Sequence, residues 1–146
     1  MVIHFLLAFV ATIGFSLIFN VPKKELVFCG IAGACGWLAY QIVLTVSSSS
    51  VVTAVFAAAL VIAYISRVFC IWRKMPVTLY MIPGVIPLVP GAGIYYTMYY
   101  IIMGDNNIAL LRGIETLMIS GVIAIGLLII LSLPRRLFDF KQMMIK

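Results

Sequence analysis

Apolar positions dominate five stretches of the chain, at 2–19, 26–46, 51–72, 77–103 and 108–133, and the polar residues fall almost entirely between them. The breaks are short: Lys23-Lys24-Glu25, Ser47 to Ser50, Arg73-Lys74-Met75-Pro76 and Gly104-Asp105-Asn106-Asn107. A helix needs roughly 20 apolar residues to cross a hydrocarbon core about 30 Å thick, and each stretch is close to that length or beyond it. The pattern predicts an all-α, multi-pass transmembrane helix bundle of about five spans, with 1–146 a single integral membrane domain.

Local signals fit those boundaries. Pro22 biases the chain out of helix after the first span. In the second, Gly30 and Ala34 stand one turn apart, the small-xxx-small spacing that lets helix backbones approach closely, and Ser120 and Ala124 repeat it in the fifth. Arg67 is near enough to the end of the third span to extend to the interface. Asn20, Gln41 and Thr116 read as hydrogen-bonders between helices.

Composition sharpens the class. Hydrophobic residues make up 65% of the chain and charged ones 10%, with a mean hydropathy of +1.24, more than a soluble core of this length hides. The net charge of +6 would suggest nucleic acid in a soluble domain, but here the bases cluster beside apolar spans and act as topology signals, so no nucleic-acid partner is expected. Lysine and arginine collect on the cytoplasmic side of short loops. With the N-terminus outside and the C-terminus in the cytoplasm, Lys23, Lys24, Arg67, Arg73, Lys74, Arg135, Arg136, Lys141 and Lys146 all fall inside, leaving Arg112 outside. The same count argues against a re-entrant hairpin in the fourth stretch. The first stretch lacks a basic leader and a small-residue cleavage site, and reads as a retained helix. Cys29, Cys35 and Cys70 have neither metal-ligand nor paired spacing and read as small buried hydrophobes.

Candidate chemistry concentrates in the fourth stretch. Three prolines and three glycines fall between Pro83 and Gly93. Pro83, Pro87 and Pro90 each lack an N–H, so the carbonyls of Leu79, Pro83 and Ile86 lose their helical donors. The expectation is a broken helix, its first half ending near Ile82 and its second starting near Pro90-Gly91. The N–H groups of Gly91 to Ile94 would then form a positive helix end near the membrane midplane. Irregular backbone survives at that depth only when buried in protein or lining a wet cavity, and discontinuous helices of this kind hold solutes and ions in transporters. Pro83, Gly84, Pro87, Pro90, Gly91 and Gly93 are therefore candidates for a solute path. The bland alternative is a kinked structural helix. Tyr95 lies beside the break and belongs either to the path or, like Tyr99 and Tyr100, to an aromatic belt. Glu115 is the one carboxylate set inside an apolar stretch, and it is either a proton-coupling group or the partner of Arg112 three residues earlier. His4 reads as a solvated residue. No nucleophile–base–orienter set, HExxH or phosphate loop is present, so the chain does not read as an enzyme, and no metal or cofactor is expected.

With Gly14 to Pro22, Gly30 to Trp37, Lys74-Met75-Pro76-Val77 and above all Pro83 to Gly91 with its tyrosines in view, the chain resembles the small membrane subunit of the threonine/serine exporter (ThrE) family, of the split type. The resemblance covers nearly the whole chain. It implies secondary export of small metabolites across the cell inner membrane: threonine or serine in the named members, dicarboxylates such as succinate in some split systems. It also implies a partner, since longer members join a soluble hydrolase-like domain to a larger set of spans; a separate, larger membrane subunit carrying that domain would supply the rest. A homo-oligomer is also open. The expected role is half of a proton-driven export complex, with the helix break at the solute path; the alternative is a scaffold that stabilises a transporting partner.

Overall fold

The computed structural model describes residues 2–47 and 50–134. Arg135, Arg136, Lys141 and Lys146, which the charge count assigns to the cytoplasmic side, lie outside them. Six helices follow in order: α1 (Val2–Ile18), α2 (Leu26–Ser47), α3 (Val51–Arg73), α4 (Thr78–Val85), α5 (Gly91–Ile102) and α6 (Asn106–Ser132), with a single 3-10 turn, Ile86–Leu88, between α4 and α5. Among the described residues there are no strands, and the chain is the multi-pass helical bundle the hydropathy predicts. α2, α3 and α6 are each long and apolar enough to cross a membrane alone. Thr78–Leu88 with Gly91–Ile102 makes a fourth crossing bent by 49°, and α1 adds an apolar helix of 17 residues.

The turns explain the register. α1 ends in a Schellman motif with Asn20 in the left-handed region at φ 54°: Asn20 N–H donates to Leu17 O and Val21 N–H to Ser16 O, both at 3.0 Å. Asn20 is thus a helix terminator, where the sequence suggested an interhelical hydrogen-bonder. Gly104, at φ 80°, ends α5 in the same way through Gly104 N–H to Ile101 O and Asp105 N–H to Tyr100 O; only a residue tolerant of positive φ makes this turn cheaply. Ser50 and Asp105 cap the starts of α3 and α6.

α2 is the centre of the bundle, packed on α1, α3 and α4, while α6 leans on α3 with its second half and carries α5 on its first. Small residues set the spacing, since in lipid helices associate by close packing and not by escape from water. A Cβ at Gly33 would sit 2.1 Å from Thr12 Oγ1 of α1, and one at Gly36 would sit 2.2 Å from the Ile62 side chain of α3. Ala54, Ala58, Ala59 and Ala63 line the buried face of α3, and a Cβ at Gly126 of α6 would meet Ala59 at 3.0 Å. The spacing of Ser120 and Ala124, by contrast, faces outward within this chain. Arg67 is engaged at a neighbouring helix end: its guanidinium donates to the carbonyls of Ile130, Leu131 and Leu133 and closes the last turn of α6. An arginine fork reinforces a helix end whose last carbonyls run out of intrahelical donors, Ile130 O also accepting from Leu133 N–H at 3.3 Å.

Candidate functional site: the break in the fourth span

The interruption begins later than the prolines suggest. α4 runs straight through Pro83 to Val85, because the carbonyl that Pro83 orphans has another donor: Cys29 Sγ of α2, fully buried, donates to Leu79 O at 3.4 Å. Cys29 is therefore more than a small hydrophobe. Pro87 sits in the first turn of the 3-10 segment, where a missing N–H costs nothing. The break proper is Val89-Pro90. Val89 N–H donates to Ile86 O at 3.1 Å, Gly91 N–H donates to Val89 O at 2.8 Å, and Pro90 between them, at φ −77° and ψ 59°, makes an inverse γ-turn. α5 then starts with Ile94 N–H on Pro90 O at 3.1 Å.

This turn narrows the expected ion site. Of the four N–H groups from Gly91 to Ile94, those of Gly91 and Ile94 are committed within the turn, which leaves Ala92 and Gly93 at the open helix end. Of the three freed carbonyls, those of Leu79 and Ile86 already accept hydrogen bonds.

The motif residues separate into two groups. Pro83 and Gly84 are buried, and a Cβ on Gly84 would lie 3.6 Å from the Gly33 backbone, so Gly33 is held between Thr12 and Gly84 where α1, α2 and α4 cross. Gly93 packs on α6, where a Cβ would come within 2.4 Å of Thr116 Oγ1. At Gly91 a Cβ meets nothing within 4 Å. Tyr95 is 63% exposed and stacks along α5 on Tyr99 with ring centroids 6.4 Å apart. Glu115 pairs with Arg112, Nη1 to Oε2 at 3.3 Å, with both side chains about half exposed on the outer face of α6.

Three cavities step along this helix, and each meets a motif proline. One of about 290 Å³ is lined by Asn20, Pro22, Pro76, Thr78 and Pro83. The next, about 240 Å³, lies between α1 and the turn, with His4, Ala8, Trp37 and Pro87 in its wall. The third, about 180 Å³, is bounded by Trp37, Tyr40, Val55, Pro87, Pro90 and Ile119. His4 is exposed as expected, yet it also borders this string.

At the end of the bundle where α1 and α3 stop and α2 and α4 start, a polar cluster closes the helices together. Arg73 holds Glu25 through Nη2 to Oε1 at 2.7 Å and Nε to both oxygens at 3.2 Å, and Tyr80 Oη donates to Oε2 at 2.7 Å. The guanidinium also lies over the Phe28 ring at 4.8 Å. Arg73 beside it holds the Glu25 carboxyl below the usual carboxylate range, aided by Tyr80 and opposed by burial. Glu25 was missed because it stands in line with Lys23 and Lys24 as one loop. The available signal was that it is the single acid in the short loop that joins the first two apolar stretches.

Among the described residues no group of three or more metal-ligating side chains comes together. The family described as "Threonine/Serine exporter, ThrE" has a model that matches residues 4–133. The chain belongs to the ThrE family. It is a membrane component of a transporter family and not an enzyme, and the interrupted fourth span is a feature of a ThrE membrane domain. No solved structure matches this ThrE chain.

Proposed function

We propose that this chain is the small subunit of a proton-driven secondary exporter in the cell inner membrane, with its solute path along the interrupted fourth span. The observation that carries the reading is the string of three cavities, each touching one of Pro83, Pro87 and Pro90. A span packed only for strength fills the space beside its prolines; this one leaves room there, next to backbone that has left the helical ladder. The solute is threonine, serine or a small dicarboxylate such as succinate. A larger membrane subunit with a soluble hydrolase-like domain completes the route. The N-terminus faces outside and the C-terminus the cytoplasm, supported by Lys23, Lys24, Arg73 and Lys74 gathering at one end of the bundle, where Arg67 caps α6. Glu115 is the proton-coupling candidate.

A second reading, a scaffold that only stabilises a transporting partner, is favoured by the burial of Pro83 and Gly84 and the close fit of Gly93 on Thr116, which give half the motif a packing role. Gly91 decides between them because a side chain there meets open space and leaves the packing intact. Gly91→Leu, in a complex that still assembles, abolishes threonine efflux if the break lines the route; undiminished efflux assigns the chain to the scaffold. In the same assay Glu115→Gln weakens the response to external pH, and an unaltered response assigns Glu115 to its pair with Arg112.

A further inference from the structure

Trp37 ends the glycine-rich stretch of α2, and Tyr40 follows three residues later. The fold brings both to the break. Their rings lie 5.1 Å apart at 33°, and they bound the cavity that also meets Pro87 and Pro90, while Trp37 and Pro87 border the neighbouring cavity as well. A solute moving from one to the other passes this pair. Tyr95, by contrast, stacks on the outer face of α5.

We propose that Trp37 and Tyr40 are the solute-contacting pair of the route, donating the indole N–H and the phenol O–H to the solute's carboxylate. The proposal rests on the transport reading above. Among the described residues neither polar tip has a hydrogen-bond partner, although both side chains are half-buried inside a membrane span. Neither tip is sealed in the core, so each N–H or O–H is open to an incoming acceptor. A carboxylate accepts from both, and hydrogen bonds to an ionised acceptor are the stronger kind. Among the described residues no lysine or arginine lines either cavity, and only His4 borders the neighbouring one; Arg67, Arg73 and Arg112 are engaged with α6 carbonyls, Glu25 and Glu115. Neutral donors hold a carboxylate firmly enough to select it and loosely enough to release it. Val55, Leu88 and Ile119 leave an apolar wall for the rest of the molecule. A cavity of about 180 Å³ has room for a small metabolite, while pockets for drug-sized ligands start at about 300 Å³.

The test is the concentration dependence of L-threonine export by the assembled complex in proteoliposomes, for Trp37→Phe, Tyr40→Phe and the unaltered chain. Each phenylalanine keeps a ring and removes a donor. We expect the KM for threonine to rise about tenfold in each variant, with the maximal rate nearly unchanged, and the methyl ester of threonine to compete poorly with threonine on the unaltered complex. Should Trp37→Phe fail to assemble, Tyr40→Phe, one oxygen smaller, carries the comparison. An unchanged KM overturns the assignment of the pair even where Gly91→Leu blocks export and the route itself stands. Undiminished export in Gly91→Leu overturns the route, whatever the KM values are.

Discussion

Arg73 closes on Glu25, 48 residues earlier in sequence, through two nitrogens, Nη2 at 2.7 Å and Nε at 3.2 Å, where the start of α2 meets the end of α3. The Glu25 side chain is 7% exposed and that of Arg73 34%, so the acid is the desolvated partner and the base its link to the surface. A buried charge is costly unless paired and hydrogen-bonded. Here Tyr80 supplies the remaining donor, which ties the first turn of α4 to α2 and α3 below the break.

The pH dependence follows from Glu25. Its carboxyl titrates below the ordinary value of 4.5 because Arg73 favours the charged form, so the pair contributes stability above that value and loses it as the pH falls through the lower folded value. The thermal midpoint of the purified protein is therefore expected to hold steady down to about pH 4.5 and to fall below it. Glu25→Gln lowers the midpoint at neutral pH, and the gap to the unaltered protein narrows in acid. A gap that stays constant into acid contradicts this account. Tyr80→Phe removes a hydrogen bond to a charged group and is expected to cost about 1.5–3 kcal/mol.

The spans were legible in the sequence because lipid demands internally satisfied backbone and a fixed length, and both requirements are written residue by residue in hydropathy. Every predicted span matches a helix or the bent pair to within a few residues. The break was legible in kind, because three prolines in eight residues cannot all be absorbed. Its position was not: whether Pro83 ends a helix depends on Cys29, 54 positions earlier, reaching Leu79 O, and hydropathy does not encode that contact. The aromatics around the break were legible only in part, for a related reason. Tyr95 is adjacent to the break along the chain, yet the direction of its side chain is set by α5 lying on α6, whereas Trp37 and Tyr40 arrive through the packing of α2. Glu25 and Arg73 show the same limit, each looking like an ordinary loop charge until the ends of α2 and α3 meet.

The crossing at Gly33 gives a packing test. A Cβ there would lie 2.1 Å from Thr12 Oγ1 and 2.9 Å from Thr12 Cβ, closer than atoms pack. Gly33→Ala is expected to destabilise the bundle by about 1–3 kcal/mol through overpacking, measured as loss of folded protein against a graded denaturing detergent. Thr12→Ala in the same chain recovers only part of the loss, since its Cβ remains in the way, and Thr12→Gly recovers more. Gly91→Ala, which meets open space, serves as the neutral control. Equal losses for Gly33→Ala and Gly91→Ala rule out the steric explanation.

Cys29 and Pro83 make the sharpest pair, because one exists to repair what the other removes. With proline at 83, Leu79 O has no donor from its own helix and takes the Cys29 thiol at 3.4 Å. Cys29→Ala in the unaltered chain leaves that carbonyl unpaired in a buried place, and a buried polar group without a partner costs more than the hydrogen bond gains. Pro83→Ala restores an N–H one turn above Leu79, so in that background the thiol is redundant and Cys29→Ala is expected to be nearly free. Measuring all four combinations in a double-mutant cycle should give a coupling of about 0.5–1 kcal/mol. Strict additivity means that the thiol packs beside Leu79 without satisfying it, and α4 then continues past Pro83 for some other reason. Cys29→Ser discriminates further. A hydroxyl is shorter than a thiol but a stronger donor, so it retains part of the coupling, whereas a residue valued only as a small hydrophobe is matched better by alanine.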